Sequence, residues 1–215
     1  MENSAVLGGV DATATIGFPY IQQGLADVDP DVDAIFRLTK REHILHRGPT
    51  DLNGGVQFNR NLVQPIVAVR PGSLCPYNSQ NTFFHYEALW ALLLPTSVAF
   101  RVCDIWRGYW SQRLLWEIGG VLSFVIPTVK QFRNAHNYLD DFIDENDLYV
   151  KGGKFVSFLS EWSAEAIKKR YVKQHPEVKG QWSQVYDGEM PMFATIAVKL
   201  AKDMARAGVW SRGGY

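Results

Sequence analysis

The first third of the chain shows only short apolar stretches between polar ones, whereas its centre carries long apolar runs. Ala34-Ile-Phe-Arg-Leu-Thr39 has the apolar, β-branched make-up of a short strand. Gln64 to Arg70, closed by Pro71-Gly72, reads as a second strand, and Asn81 to His85 as a third. The opening to about Ile16 is irregular in composition, and Thr50 to Asn61, with Gly54-Gly55, reads as a loop. From Asp104 to Ile118 apolar residues occupy most faces of a helical projection, which predicts a largely buried helix. Asp104 supplies its N-cap and Gly119 its C-terminal stop. Val121 to Ile126 then forms a near-continuous apolar run ending at Pro127, the pattern of a buried strand. Asp140 to Asp147 is acidic and turn-rich. Two amphipathic helices are predicted beyond it. One runs from about Lys154 to Gln174, with Phe155, Phe158, Leu159 and Trp162 at helical spacing; the other runs from Pro191 to Gly208. Strands, a buried helix and a buried strand in that order predict an α/β layered sheet with flanking helices, followed by C-terminal helices. Residues 1–150 are expected to form one unit, and 151–215 a helical appendage packed on it.

Composition narrows the function classes. The 215 residues are 47% hydrophobic and 20% charged, enough apolar content for a packed core and too much for a disordered chain. The 22 basic and 22 acidic side chains cancel, which removes any general attraction to nucleic acid. Residues 1–150 hold 11 Lys+Arg against 16 Asp+Glu, and residues 151–215 hold 11 against 6, so the C-terminal helices carry the positive surplus. A solvated helical face accounts for it. Ala88 to Phe100, the most apolar segment, is broken by Pro95 and too short to span a bilayer. The first residues lack the basic start and apolar stretch of a signal peptide, so a soluble chain is expected. Two cysteines, Cys75 and Cys103, exclude a disulfide-rich scaffold and leave a single bridge open.

Several constellations bear on chemistry. Asp27, Asp29, Asp31 and Asp33 alternate, and on an extended segment they would share one face able to hold a divalent cation. Pro30 interrupts such a strand and Asp is a common turn residue, so a solvated loop is the favoured reading and no metal ligands are assigned. Asp104 is the best single candidate for catalysis. A helix N-terminus favours the ionised carboxylate, which can accept a proton from an attacking hydroxyl. The competing reading makes it a cap alone. Trp106 and Trp110 follow it with the acid-plus-aromatic composition of carbohydrate sites, or else belong to the core. Arg107 suits phosphate or carboxylate recognition, although an arginine here more often makes a structural ion pair, and Asn78 and Asn81 sit in a polar insertion that lines a pocket or makes a turn. His43 and His46 have close spacing but lie beside Lys40 and Arg41, and His136 stands alone. Glycine-rich phosphate loops, a nucleophile elbow and HExxH are missing from the sequence, which argues against P-loop, α/β-hydrolase and zincin chemistry.

Six ordered segments carry a family resemblance. They are Tyr20 to Gly24, Asp31 to Lys40, Pro76 to Phe84, Trp90 to Val98, Asp104 to Gly120 and Gly153 to Trp162. Together, over roughly residues 18–165, they resemble the STELLO family of Golgi glycosyltransferases. The resemblance implies a GT-A-like domain in the Golgi lumen that transfers a sugar from a nucleotide sugar, with Mn or Mg as cofactor in the full-length member. It also implies a carbohydrate or protein acceptor. In the family, the acidic metal motif, the nucleotide-binding half and the membrane anchor precede the Tyr20 to Gly24 match. This chain therefore corresponds to the acceptor-side part, expected to be inactive alone. Asp104 is expected to be catalytic, with Asn78, Asn81, Trp106, Arg107 and Trp110 binding substrate. The alternative is a non-catalytic module that assists assembly or secretion of a Golgi protein partner.

Overall fold

A computed structural model describes residues 17–39, 66–134, 137–177 and 191–209. The opening segment, the 50–61 loop, His43, His46 and His136 lie outside the described residues.

The chain is a mixed α/β structure. Four strands, β1 (Phe18–Val28), β2 (Ile66–Ala68), β3 (Thr82–Phe84) and β4 (Gly120–Gln131), form one sheet in the order β2-β4-β1-β3. The two long central strands, β1 and β4, run parallel, and the short outer strands are antiparallel to their neighbours. Helix α2 (Cys103–Leu115) enters through a 3-10 turn at Phe100–Val102 and leaves through another at Trp116–Ile118. Gly119 then takes φ 69°, a left-handed turn that glycine accommodates without a side-chain clash. Because α2 returns the chain to the start of β4, its N-terminus lies toward the carboxyl ends of β1 and β4. The helix seals one core, where Leu115 meets Ile21, Leu122 and Tyr77, and contributes Trp106 and Leu114 to a second. That second core is completed by α4 (Asn146–Glu161), α5 (Glu165–Gln174) and α6 (Met192–Ala207) through Phe155, Leu159, Ile167, Ile196 and Leu200. Arg113 locks the junction. It donates to Glu117 Oε1 at 2.6 Å and to the Trp162 carbonyl at 2.9 Å, while Lys168 of α5 pairs with the second Glu117 oxygen at 2.5 Å.

Several expectations are corrected. Ala34–Thr39 is a helix, α1, rather than a strand. Asp33 Oδ1 accepts the Phe36 N–H at 2.9 Å as an N-cap. Glu145 Oε2 takes the Ala34 N–H at 2.8 Å, so the leading amides are satisfied from elsewhere in the fold. β4 continues four residues beyond Pro127, because Pro127 falls where the pairing shifts between Gly24/Val125 and Ala26/Val129, and a bulge tolerates its missing N–H. The acidic stretch at 140–147 is helical. It forms most of α3 (Tyr138–Asp144), capped by Asn137, and opens α4. The single helix expected over 154–174 is two, α4 and α5, broken at Trp162–Ala164. α6 keeps its expected bounds, with Pro191 before it and Gly208 in the left-handed cap. Cys75 and Cys103 are both free thiols. Among the described residues no helix is long and apolar enough to cross a membrane.

Val28, where β1 ends, has φ 78°, a conformation that costs a β-branched residue energy. Val28→Gly is expected to gain about 0.5–1 kcal/mol, the relief of the left-handed penalty less the greater backbone entropy of glycine in the unfolded chain. Urea denaturation checks this; a destabilised variant would show that the valine side-chain contacts outweigh the strain.

Candidate functional site

The polar insertion at 78–82 is clamped between β1 and the N-terminus of α2. Gln23, buried in β1, accepts the Asn78 N–H at 3.0 Å and the Thr82 hydroxyl at 3.2 Å through one oxygen. Its amide nitrogen donates to the Gly24 carbonyl at 2.9 Å. Gly24 is required here, since a Cβ would stand 2.2 Å from Asn81 Nδ2. Asn81 spans the two central strands, donating to the Leu25 carbonyl at 3.0 Å and to Thr128 Oγ1 at 2.9 Å. Asn78 donates to the Asp31 carbonyl at 3.1 Å and accepts the Gln80 N–H at 3.0 Å.

Asp104 sits in the first turn of α2, not at its N-cap, which is Val102. Its carboxylate turns instead to the insertion and accepts the Ser79 N–H at 3.0 Å. Burial pushes this carboxyl above its ordinary value, against the opposing pull of the Ser79 N–H and the Arg107 guanidinium; the Asp31 carboxylate adds to the rise. Arg107, one turn on, is almost wholly buried. It donates to Ser79 Oγ at 3.0 Å, and its guanidinium lies 5.0 Å from the Tyr77 ring centroid and 5.2 Å from that of Phe84. Asp31, near enough for its charge to act on Asp104, is paired with Arg133 two residues past β4. The cluster therefore offers a half-buried carboxylate, a fixed guanidinium and amide groups at the carboxyl ends of parallel strands.

Of the six expected site residues, Asp104, Arg107 and Asn78 come together, with Asn81 beside them. The two tryptophans do not join them. Trp106 is fully buried, its ring edge-on to Phe155 at 4.7 Å. Trp110 packs toward the same core, 6.0 Å from Trp90. Positions two and six along a helix from Asp104 project from other faces, so nearness in sequence did not place the two rings beside its carboxylate. Ser79, Gln23 and Tyr77 belong to the cluster and escaped the sequence reading. Ser79 lay within the polar insertion, but a buried glutamine in a strand has no sequence signal.

The acidic stretch is dispersed. Asp29 pairs with Arg37, Asp31 with Arg133, and Asp33 caps α1. Asp27 stays in β1, buried. Among the described residues no group of three His, Cys, Asp or Glu side chains gathers at metal-binding distance.

A mixed sheet whose two central strands run parallel, flanked by helices, defines a layered α/β fold compatible with part of a GT-A-like fold. Residues 101–176, which build α2, β4 and α3 to α5, match the family described as STELLO glycosyltransferases, and that segment belongs to it. The chain is 39% identical over 150 residues to the Arabidopsis thaliana protein named "Probable glycosyltransferase STELLO1". It is 38% identical over 146 residues to "Probable glycosyltransferase STELLO2" of the same plant. These matches cover 69% and 68% of the chain but 18% of each relative. The resemblance read from the sequence is thus shown.

Proposed function

We propose that the chain forms the acceptor-side part of a glycosyltransferase domain that moves a sugar from a nucleotide sugar to a carbohydrate or protein acceptor in the Golgi lumen. Asp104 takes the proton from the acceptor hydroxyl as its oxygen attacks the anomeric carbon and the nucleotide departs. The observation that carries this reading is the Asp104 carboxylate itself: half-buried, raised toward proton affinity, and set at the carboxyl ends of β1 and β4 beside Arg107. Arg107, braced between two rings, fixes Ser79 and so the orientation of the carboxylate. The Mn or Mg of the full-length family member has no fitting donor set in the described residues, since Asp29, Asp31 and Asp33 are engaged with arginines or a helix cap.

The test is nucleotide release from UDP- and GDP-sugars with manganese. The full-length protein is expected to turn over one of them and the 215-residue chain none. Saturable turnover by the chain alone would overturn the acceptor-side assignment. A full-length protein inert toward every donor would favour the non-catalytic module assisting a Golgi partner.

A further inference from the structure

We propose that the rings at the amino end of β1 and just after β3 form a platform for a neutral oligosaccharide, a second binding surface away from Asp104. Phe18 and Tyr20 lie 4.7 Å apart between centroids, Tyr20 and His85 5.3 Å, and His85 and Tyr86 4.5 Å, a continuous run of four rings. Their planes are tilted by 43° to 52°, so the run makes a stepped surface rather than a closed stack. Phe18 is 53% exposed and Tyr86 70% exposed, far more than rings recruited for a core. The surface has a polar handle. The Glu87 carboxylate accepts the Tyr86 hydroxyl at 2.8 Å and a second bond from Tyr20.

The backbone holds this arrangement in place. The His85 N–H donates to the Tyr20 carbonyl at 2.8 Å, and the Trp90 indole N–H donates to the Glu87 carbonyl at 2.6 Å. The Glu87 N–H meets His85 Nδ1 at 3.4 Å, which leaves the proton of a neutral imidazole on Nε2, directed elsewhere. Such a site needs little ordering to bind. Pyranose rings present C–H faces that pack on aromatic faces, and their hydroxyls donate to a carboxylate. A stepped run of rings beside one acceptor fits consecutive sugar units better than a flat protein face, and the Glu87 charge disfavours acidic sugars. The proposal does not depend on Asp104 acting as a base, because it concerns binding and is measured on the chain itself.

The experiment titrates the 215-residue chain with xylohexaose and with chitohexaose, following the Trp90 indole N–H and the His85 ring by NMR. Saturable shifts at millimolar concentration are expected with at least one. Phe18→Ala and Tyr86→Ala should each weaken binding roughly tenfold, with unchanged melting because both rings are exposed. A galacturonic acid hexamer should bind poorly to the native chain and better to Glu87→Gln. Absence of saturable shifts with both sugars, or binding indifferent to Tyr86→Ala, overturns the proposal. So does a concentration-dependent dimer in sedimentation that is lost in Tyr86→Ala, since a second copy would then own the surface.

Discussion

Under the proposed base role, Asp104→Asn, carried in a full-length family member that contains this segment, is expected to cut sugar transfer by about two to four orders of magnitude, the usual contribution of a general base, with thermal unfolding nearly unchanged. The amide oxygen of asparagine can still accept the Ser79 N–H that the carboxylate accepts at 3.0 Å. Loss of a negative charge in the first turn of α2 costs about 0.3–1 kcal/mol of helix-dipole interaction, and relief from burying that charge offsets it. An amide cannot take the acceptor's proton, so stability and activity separate. The pH dependence gives an independent reading. The Asp104 carboxyl is raised in the folded chain, chiefly by burial. A raised acid binds its proton more tightly folded than unfolded. Its contribution therefore favours the fold below the ordinary aspartate value and is lost as pH rises through the folded value. Above that, the native protein should lose ground relative to Asp104→Asn. As the proposed base, Asp104 acts in its ionised form, so the acidic limb of transfer should lie above the ordinary aspartate range. Full activity in Asp104→Asn would leave the residue as a structural acceptor for Ser79.

What the sequence made legible follows from where each signal resides. The central helix and its glycine stop, the β4 run and α6 were readable because their determinants are local: apolar periodicity, a left-handed glycine and a leading proline. α1 was not readable. Its six residues carry apolar, β-branched character, and what makes them helical is the Asp33 cap together with Glu145, more than a hundred positions away. Pro127 misled for a similar reason, since the bulge that absorbs it arises from pairing with β1. The candidate cluster was half legible. Asp104 and Asn78 stood out as polar groups near element boundaries, with Arg107 one turn further along α2. Trp106 and Trp110 shared the same stretch, but their direction depends on helical phase and on the C-terminal helices that cover them.

That covering explains where the largest loss of stability should fall. Trp116, near the end of the helix that apolar patterning predicts to be largely buried, is only half-buried, with the Arg113 guanidinium 5.3 Å from its ring centroid. The expected cost of about 3–5 kcal/mol for truncating a core tryptophan therefore belongs to Trp106. Its ring is fully enclosed where α2 meets α4, against Phe155 and Tyr109. Against a typical total of about 5–15 kcal/mol, Trp106→Ala should remove a large fraction of the stability and loosen α4 to α6 from the sheet. Trp106→Phe separates size from polarity. The Trp106 Nε1 is buried without a hydrogen-bond partner, a deficit of about 1–3 kcal/mol that phenylalanine abolishes while keeping most of the ring. Trp106→Phe should therefore cost about 1 kcal/mol or less, well under Trp106→Ala. Parallel chemical denaturation of the two variants decides the matter. Equal losses would mean that the indole N–H is satisfied in the native state and that its bond, rather than the filled volume, anchors the helices.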